Sequence, residues 1–448
     1  MVLAIKNRDL EVLWSGTVEN TREMEGGFFD EATNYYEIQD DRTSVVLKTV
    51  NVLDDGKLVV PPTVRHRGKD YTVVGISGSE QTSVCKNPDD LREVVLPSTI
   101  KSIGEFTFYF CMSLSSLTWD HFEESALTDI GGNAFTSCTH LKALALPKHL
   151  SSIGVSALAG CTSLPAFTLD DTSDCYSVVD GLLYNKEQTI LVNCPAGKVG
   201  AVVLPSTVKT LDSNAFYNCT QVTDITLPEG IDSIAYAVFV GCSSLKTLTI
   251  PASTRVMGYG NFTGCTSLES IEVAPGNAHY TSLDGALVED GFSLLAYPNK
   301  KGVRYEVPDE IKVLEHYSCC WTDLQEIILP QWIYLGYLAL GYCHDLVSVT
   351  TRQTNPMDID NDSFSEETYE KATLYVPEGC VDIYRSKEGW KNFVHIVEMD
   401  STAISTPNAD NKPFDVYDMN GRKVRAAATT LDDLPKGLFI INGKKVIR

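Results

Sequence analysis

A formal charge of −23 over 448 residues repels nucleic-acid phosphates, so no nucleic-acid partner is expected, and it keeps the chain soluble. With 43% hydrophobic residues the chain folds, yet no run of eighteen apolar residues occurs, so it is not expected to span a membrane. The length exceeds one ordinary core, whereas stacked repeats grow by adding neighbours.

In chain order, Met1 to Leu10 lacks the long apolar region of a secretory leader, which by itself suits a cytoplasmic chain or one whose leader has been removed. Residues 1–83 read as a β-rich N-terminal cap: Tyr35 to Val50 gives two strands around a polar turn, and YTVVGI from Tyr71 leads into the segment that starts at residue 84.

Residues 84–350 carry a repeated phrase. Cys111, Cys138, Cys161, Cys219, Cys242, Cys265 and Cys343 each stand three residues before an apolar residue that opens the next copy. The intervals from Cys138 to Cys161 and from Cys219 through Cys242 to Cys265 are 23 residues, a period that marks a stacked solenoid. Openers fall at Leu91, Leu114, Leu141, Leu164, Val199, Val222, Leu245, Leu268, Gly302, Leu324 and Leu346. In LREVVLPSTIKSIGEFTFYFC from Leu91, alternate apolar residues make a short strand, and Pro97 ends it because proline gives no ladder donor. Gly104, Gly154 and Gly258 suit a tight corner, and Ala134-Phe135 and Ala215-Phe216 fill the far wall. The periodic cysteines read as buried small hydrophobes with a weak donor. The off-register ones (Cys85, Cys175, Cys194, Cys319, Cys320, Cys380) leave a disulfide open.

Two long gaps in the cysteine phrase hold related insertions, near 176–197 and 280–301. Each has Asp-Gly between apolar runs, Asp180-Gly181 and Asp284-Gly285, the signal of a β-hairpin projecting from the solenoid side. Residues 351–399 read as a C-terminal cap, with Tyr384, Trp390 and Phe393 as its lid. STAISTPNADNKP gives a linker over 400–412. A small β tail occupies 413–448, with hairpin signals at Asn420-Gly421 and Asn442-Gly443.

The phrase, the Asp-Gly insertions and the stretch ATLYVPEGCVDIYRSKEGWKNF from Ala372 resemble the BspA-like (Treponema-type) bacterial leucine-rich repeat, over roughly residues 60 to 399. Ser318-Cys319 departs from the pattern where Ala-Phe is expected, and a residue is missing around Leu335. The tail, ending in LPKGLFIINGKKVIR, resembles the C-terminal sorting domains of Bacteroidetes proteins exported by the type IX route. The resemblance implies a predominantly β, curved repeat solenoid of α/β class, exported to the cell surface or the extracellular space. It also implies adhesion to, or binding of, a host or bacterial surface or extracellular-matrix protein.

Chemistry is sparse. The eight histidines are scattered and none pairs at helical metal spacing, no phosphate-cradling glycine loop occurs, and VGISGS near Ser77 lacks nucleophile-elbow spacing. No enzyme, cofactor or metal is expected, and the chain reads as a monomer. The candidate interaction face is the outward position between the two inward residues of each strand. Its threonines are Thr118, Thr168, Thr226, Thr249 and Thr350. Threonine also simply suits a solvent-facing strand. Glycan capture or a cell-surface scaffold is the alternative reading, with Trp321, Trp332 and Tyr334 as its aromatic platform.

Overall fold

A computed structural model describes residues 2–6, 12–17, 26–51, 53, 55–78, 82–170, 172–399, 414–418, 422–428, 438–441 and 444–447. The chain is a predominantly β solenoid with few and short helices, in two units, Met1–Cys242 and Ser243–Arg448.

In the first unit, Tyr35–Ile38 pairs antiparallel with Ser44–Thr49. Asp41 closes the turn between them, its carboxylate accepting from Thr43 N and Ser44 N at 2.8 Å and from Ser44 Oγ at 2.7 Å. Those donors hold its carboxyl down at about 2. Ser44–Thr49 then pairs parallel with Lys69–Ile76, and one sheet continues through Ser102–Ile103 and Asp129–Ile130 to Ser152–Ile153. A second wall runs from Lys57–Val59 through Glu93–Pro97 to Ser116–Asp120. Coil geometry therefore begins within the segment read as a cap, ahead of the first recognisable repeat.

Each regular coil turns its corner at the proline. The carbonyl of Pro97, Pro147, Pro205, Pro228, Pro251 and Pro308 accepts from the N–H three residues on, at 3.0 to 3.2 Å. The corner glycines are required for space, not for a left-handed backbone. A Cβ on Gly154 would lie 2.4 Å from Gly132 N, and one on Gly131 2.5 Å from Glu105 N. Successive coils thus pack backbone against backbone at this corner.

The cysteine phrase becomes an interior ladder. Cys138 Sγ donates to Phe108 O at 3.1 Å, Cys161 Sγ to Phe135 O at 3.3 Å, and Cys242 Sγ to Phe216 O at 3.2 Å. Each thiol thereby satisfies a carbonyl of the preceding coil in a space too small for a longer donor. In the second unit Cys343 Sγ does the same to Cys319 O at 3.0 Å. The irregular copy before it also becomes legible. Cys319 takes the Phe position and Thr322 the ladder position, where Thr322 Oγ1 lies 3.3 Å from Cys343 Sγ.

Of the openers, Leu91, Leu114, Leu141, Leu164, Val222, Leu245, Leu268, Leu324 and Leu346 are buried. Val199 is not: it is 65% exposed. The insertion before it delivers the chain through Gly197, whose N–H donates to Leu164 O at 2.9 Å, and the strand Gly200–Val203 buries Val202 instead.

The insertions are three-stranded. Tyr176–Val179 pairs antiparallel with Leu182–Asn185 across Asp180 (φ 50°) and Gly181 (φ 81°), the two left-handed residues of a type I′ turn. Leu182–Asn185 pairs antiparallel with Ile190–Asn193, and Ile190–Leu191 runs parallel to Thr210–Leu211. The third strand is therefore a wall of the coil, so the insertion is built into the solenoid and does not merely project from it. In the second unit Tyr280–Leu283, Ala286–Glu289 and Ser293–Ala296 repeat this arrangement around Asp284 (φ 50°) and Gly285 (φ 81°), the last strand joining Val313–Leu314.

The last coils end in a five-stranded sheet from Arg304–Glu306 to His395–Glu398. The helix Glu366–Lys371 starts at Ser365, whose Oγ accepts from Thr368 N at 3.3 Å. Phe364, Tyr369, Tyr384, Trp390 and Phe393 form one buried aromatic cluster. Trp390 Nε1 donates to Met357 O and Tyr384 Oη to Gln353 O, both at 2.9 Å, so neither polar tip is stranded. Phe414–Tyr417, Lys423–Ala428, Leu438–Ile441 and Lys444–Ile447 make a four-stranded antiparallel sheet. The linker 400–412 and the Asn-Gly pairs of the tail lie outside the described residues.

Candidate binding surfaces

Strand alternation decides which side chains face out. In the first unit Thr118 is exposed and paired with Val95, Thr168 with Ala145, and Thr226 with Val203. Thr118 Oγ1 and Thr168 Oγ1 each donate at 3.4 Å to a carbonyl of the neighbouring strand, Val94 O and Leu144 O. These strands form three separate sheets, so the outward face is a series of patches and not one unbroken ladder. In the second unit Thr249 is exposed and pairs with Glu272.

Thr350 departs from expectation. It pairs with Ile328, and both are 0% exposed. Glu326–Leu329 and Ser348–Thr351 are buried on both faces. On the outward side Arg352 reaches across the intervening strand to Glu306 at 2.5 Å, and Arg304 sits 3.3 Å from Glu326. This face is closed over, so Thr350 cannot be an open contact residue.

The third wall of each coil holds a feature that the sequence pattern did not announce. Two residues four apart adopt left-handed backbone, the second directly before the ladder position. The pairs are Phe106/Phe110, Asn133/Ser137, Ser156/Gly160, Asn214/Asn218, Ala237/Gly241, Gly260/Gly264, Tyr317/Trp321 and Leu338/Tyr342. The conformation turns these N–H groups along the stack. Asn133 N donates to Val155 O at 3.0 Å, Ser137 N to Ala159 O at 2.9 Å, and Asn218 N to Val240 O at 2.8 Å. Tyr317 N and Trp321 N likewise donate to Tyr337 O and Gly341 O, both at 3.1 Å. Intercoil hydrogen bonding thus requires the conformation whatever the side chain. The recurrent Gly, Asn or Ser just before Cys was the available signal, since these residues tolerate left-handed backbone.

Aromatic residues do not tolerate it, at a cost of about 1–2 kcal/mol each. Yet Phe106 and Phe110 occupy such positions in the first unit, and Tyr317, Trp321 and Tyr342 in the second. Trp321 stacks on Tyr342 with centroids 5.1 Å apart and planes 19° apart, and His344 meets Trp321 edge-on at 5.8 Å. Trp321 and Tyr342 remain 47% and 44% exposed. Trp332 and Tyr334 are exposed too, but among the described residues no ring contact joins either to Trp321. The platform is therefore Trp321 with Tyr342, not with the aromatics grouped from sequence.

Tyr342 also lines a cavity of about 520 Å³ together with Asn361, Asp362, Phe364, Glu366 and Asn392. Asn392 Nδ2 donates to Asn361 Oδ1 at 2.9 Å, fixing both amides. His344 Nδ1 lies 2.7 Å from Glu367 Oε2, and this contact pulls the Glu367 carboxyl below its ordinary range.

The thiols are poor nucleophiles. Burial pushes Cys111, Cys161 and Cys320 up to about 12, and Cys138 and Cys219 are raised by the same cause. None of the thirteen cysteines is in a disulfide, and Cys175 alone among them is exposed. No helix among the described residues is long and apolar enough to cross a membrane.

The sequence matches the family described as BspA type leucine rich repeat region, in six copies over residues 81–197 and 187–284. Similar solved structures include a leucine rich cell surface protein from Faecalibacterium prausnitzii, with 18% identity, 84% of this chain and 96% of that one covered, and a TM-score of 0.47. A leucine-rich repeat protein from Eubacterium ventriosum shows 18% identity over 75% of this chain and 86% of that one, with a TM-score of 0.41. The T. pallidum leucine rich repeat protein shows 24% identity over 52% and 87%, with a TM-score of 0.31. No curated protein matches the sequence. Over residues 81–284 the chain is thus similar to BspA type leucine-rich repeat regions.

Proposed function

We propose that the protein is a non-catalytic, exported bacterial surface protein that binds a host or bacterial surface protein, or an extracellular-matrix protein, through its repeats. The observation that carries this reading is the outward strand face of the first unit. Thr118, Thr168, Val203 and Thr226 stand exposed there, uncharged, on strands fixed from beneath by a fully packed interior. A rigid, uncharged, β-branched surface loses little side-chain entropy on contact and needs no charge desolvated. Repeat arrays commonly bind through such stacked faces. Export is supported by the likeness of residues 413–448 to a type IX sorting domain.

The test is retention of the full chain on immobilised extracellular-matrix proteins and on intact bacterial surfaces. Thr118→Lys and Thr226→Lys should each cut retention at least tenfold with the thermal midpoint within a few degrees, because both side chains are exposed and Thr118 gives up only its long 3.4 Å bond to Val94 O. Thr249→Lys tests the second unit separately. Unchanged retention in all three variants removes the strand face from the reading, and no retention by the parent chain on any surface removes the reading itself.

A further inference from the structure

We propose that Trp321 and Tyr342, with the cavity beyond Tyr342, form a binding site for a neutral pyranose oligosaccharide. The site is independent of the threonine strand face and is tested separately from it.

Three observations converge. First, both positions take left-handed backbone, which lets Trp321 N donate to Gly341 O of the next coil, and the coils from Asn133 to Gly264 fill the equivalent positions with Asn, Ser, Gly or Ala. Trp321 and Tyr342, like Phe106 and Phe110 of the first coil, are among the side chains least suited to it, so backbone requirements do not account for them. Second, the two rings are stacked nearly parallel and half-exposed, presenting electron-rich aromatic surface to solvent. Such a face complements the polarised C–H side of a pyranose ring. Third, Tyr342 lines a cavity whose polar lining includes Asn361, Asp362, Glu366, Glu370 and Asn392. Planar amides and carboxylates are the groups that pair with the hydroxyl rim of a sugar, and the carboxylates accept strong charge-assisted bonds from it.

The chemistry of the cavity narrows the ligand. Its charged lining carries carboxylates and no cationic group, so uronic or sialic residues are repelled. A volume of about 520 Å³ takes a short oligosaccharide segment. The aromatic pair is a parallel stack and not a set of faces converging on one point, which distinguishes it from a cage for an alkylammonium group.

The experiment uses the full chain on an array of neutral glucose-, galactose- and N-acetylhexosamine-containing oligosaccharides, with sialylated and uronate-containing ones beside them. An arginine-rich peptide serves as the cationic control. Retention of one or more neutral sugars is expected, with the acidic ones at background. Trp321→Asn and Tyr342→Asn place there the residue that a middle coil uses at the equivalent position, Asn218. Each should lower affinity at least tenfold while the thermal midpoint stays within a few degrees. Tyr342→Phe keeps the ring and should retain binding. Asp362→Asn removes a hydroxyl acceptor without touching the stack, and should weaken binding several-fold. No neutral sugar retained above background, or equal retention by the Asn variants, overturns the proposal. So does retention of the peptide in place of sugar, and so does dependence of a protein ligand, but no sugar, on Trp321.

Discussion

The coils from Asn133 to Cys265 and those from Tyr317 to Cys343 share one backbone plan and differ in what they place on it. In both, each coil holds two left-handed residues, and those at Asn133, Ser137, Asn214, Asn218, Tyr317 and Trp321 pass their N–H groups to the next coil. In the first group those positions hold Asn133, Ser137, Ser156, Asn214, Asn218 and several glycines, with Ala237 as the one exception. The second group holds Tyr317, Trp321, Leu338 and Tyr342. The interior is alike in both, with ladder thiols donating to a carbonyl of the preceding coil and, at Thr322, a hydroxyl that meets the next ladder thiol. A repeat of this sort therefore separates two tasks. Buried positions and intercoil hydrogen bonds hold the coil together, while the side chains of the left-handed positions are free to serve the surface.

The largest effect that sharpens the contrast comes from the shared interior. Phe216 is fully buried and stacks on Phe239 with centroids 5.6 Å apart. Phe216→Ala should cost about 3–5 kcal/mol in urea unfolding. A much smaller loss would mean that the coil wall is not packed as described.

Next comes the left-handed position of a middle coil. Asn218→Leu places there the residue type found at Leu338 and should cost about 1–2 kcal/mol from backbone conformation alone. No measurable loss would show that these positions tolerate any side chain, and the contrast between the two groups of coils would lose its meaning.

The thiol ladder predicts a third effect. Burial raises Cys111 and Cys161 from 9.0 to about 12. The folded chain then holds those protons more tightly than the unfolded chain does. Their contribution to stability is whole below pH 9 and is lost progressively as pH rises toward 12. Urea midpoints should accordingly fall through this alkaline window, and ladder variants such as Cys161→Ala should flatten the fall. A midpoint independent of pH over that range contradicts a dry ladder. The smallest effect is chemical. Iodoacetamide on the native protein should label Cys175 only, and the other twelve thiols only after denaturation.

How much was legible depended on whether the signal was local. Asp180-Gly181 and Asp284-Gly285 announced their turns because two adjacent left-handed residues need that dipeptide chemistry. The cysteine period marked the interior, because a buried ladder admits little else. What the insertions do after the turn was not legible. Ile190–Asn193 joins the coil wall by pairing with a strand twenty residues on, and periodicity does not report such pairing. Thr350 was misplaced for a related reason. Alternation gives the side a residue faces but not what covers that side, and the reach of Arg352 to Glu306 spans 46 positions. The aromatic platform failed for a third reason. Grouping Trp321 with Trp332 and Tyr334 relied on chain proximity, whereas Tyr342 sits at the equivalent position of the next coil, 21 residues away, and stacking brings those two together.

The central claim is that Trp321 and Tyr342 stand where the backbone would rather have Asn or Gly. Urea unfolding of the Trp321→Asn, Tyr342→Asn double variant tests it most directly. Relief of two left-handed aromatic residues should offset the loss of two half-exposed rings, leaving stability within about 1 kcal/mol of the parent. A loss of about 3 kcal/mol or more, the scale of a core aromatic, would show that the rings hold the coil together and contradict the account.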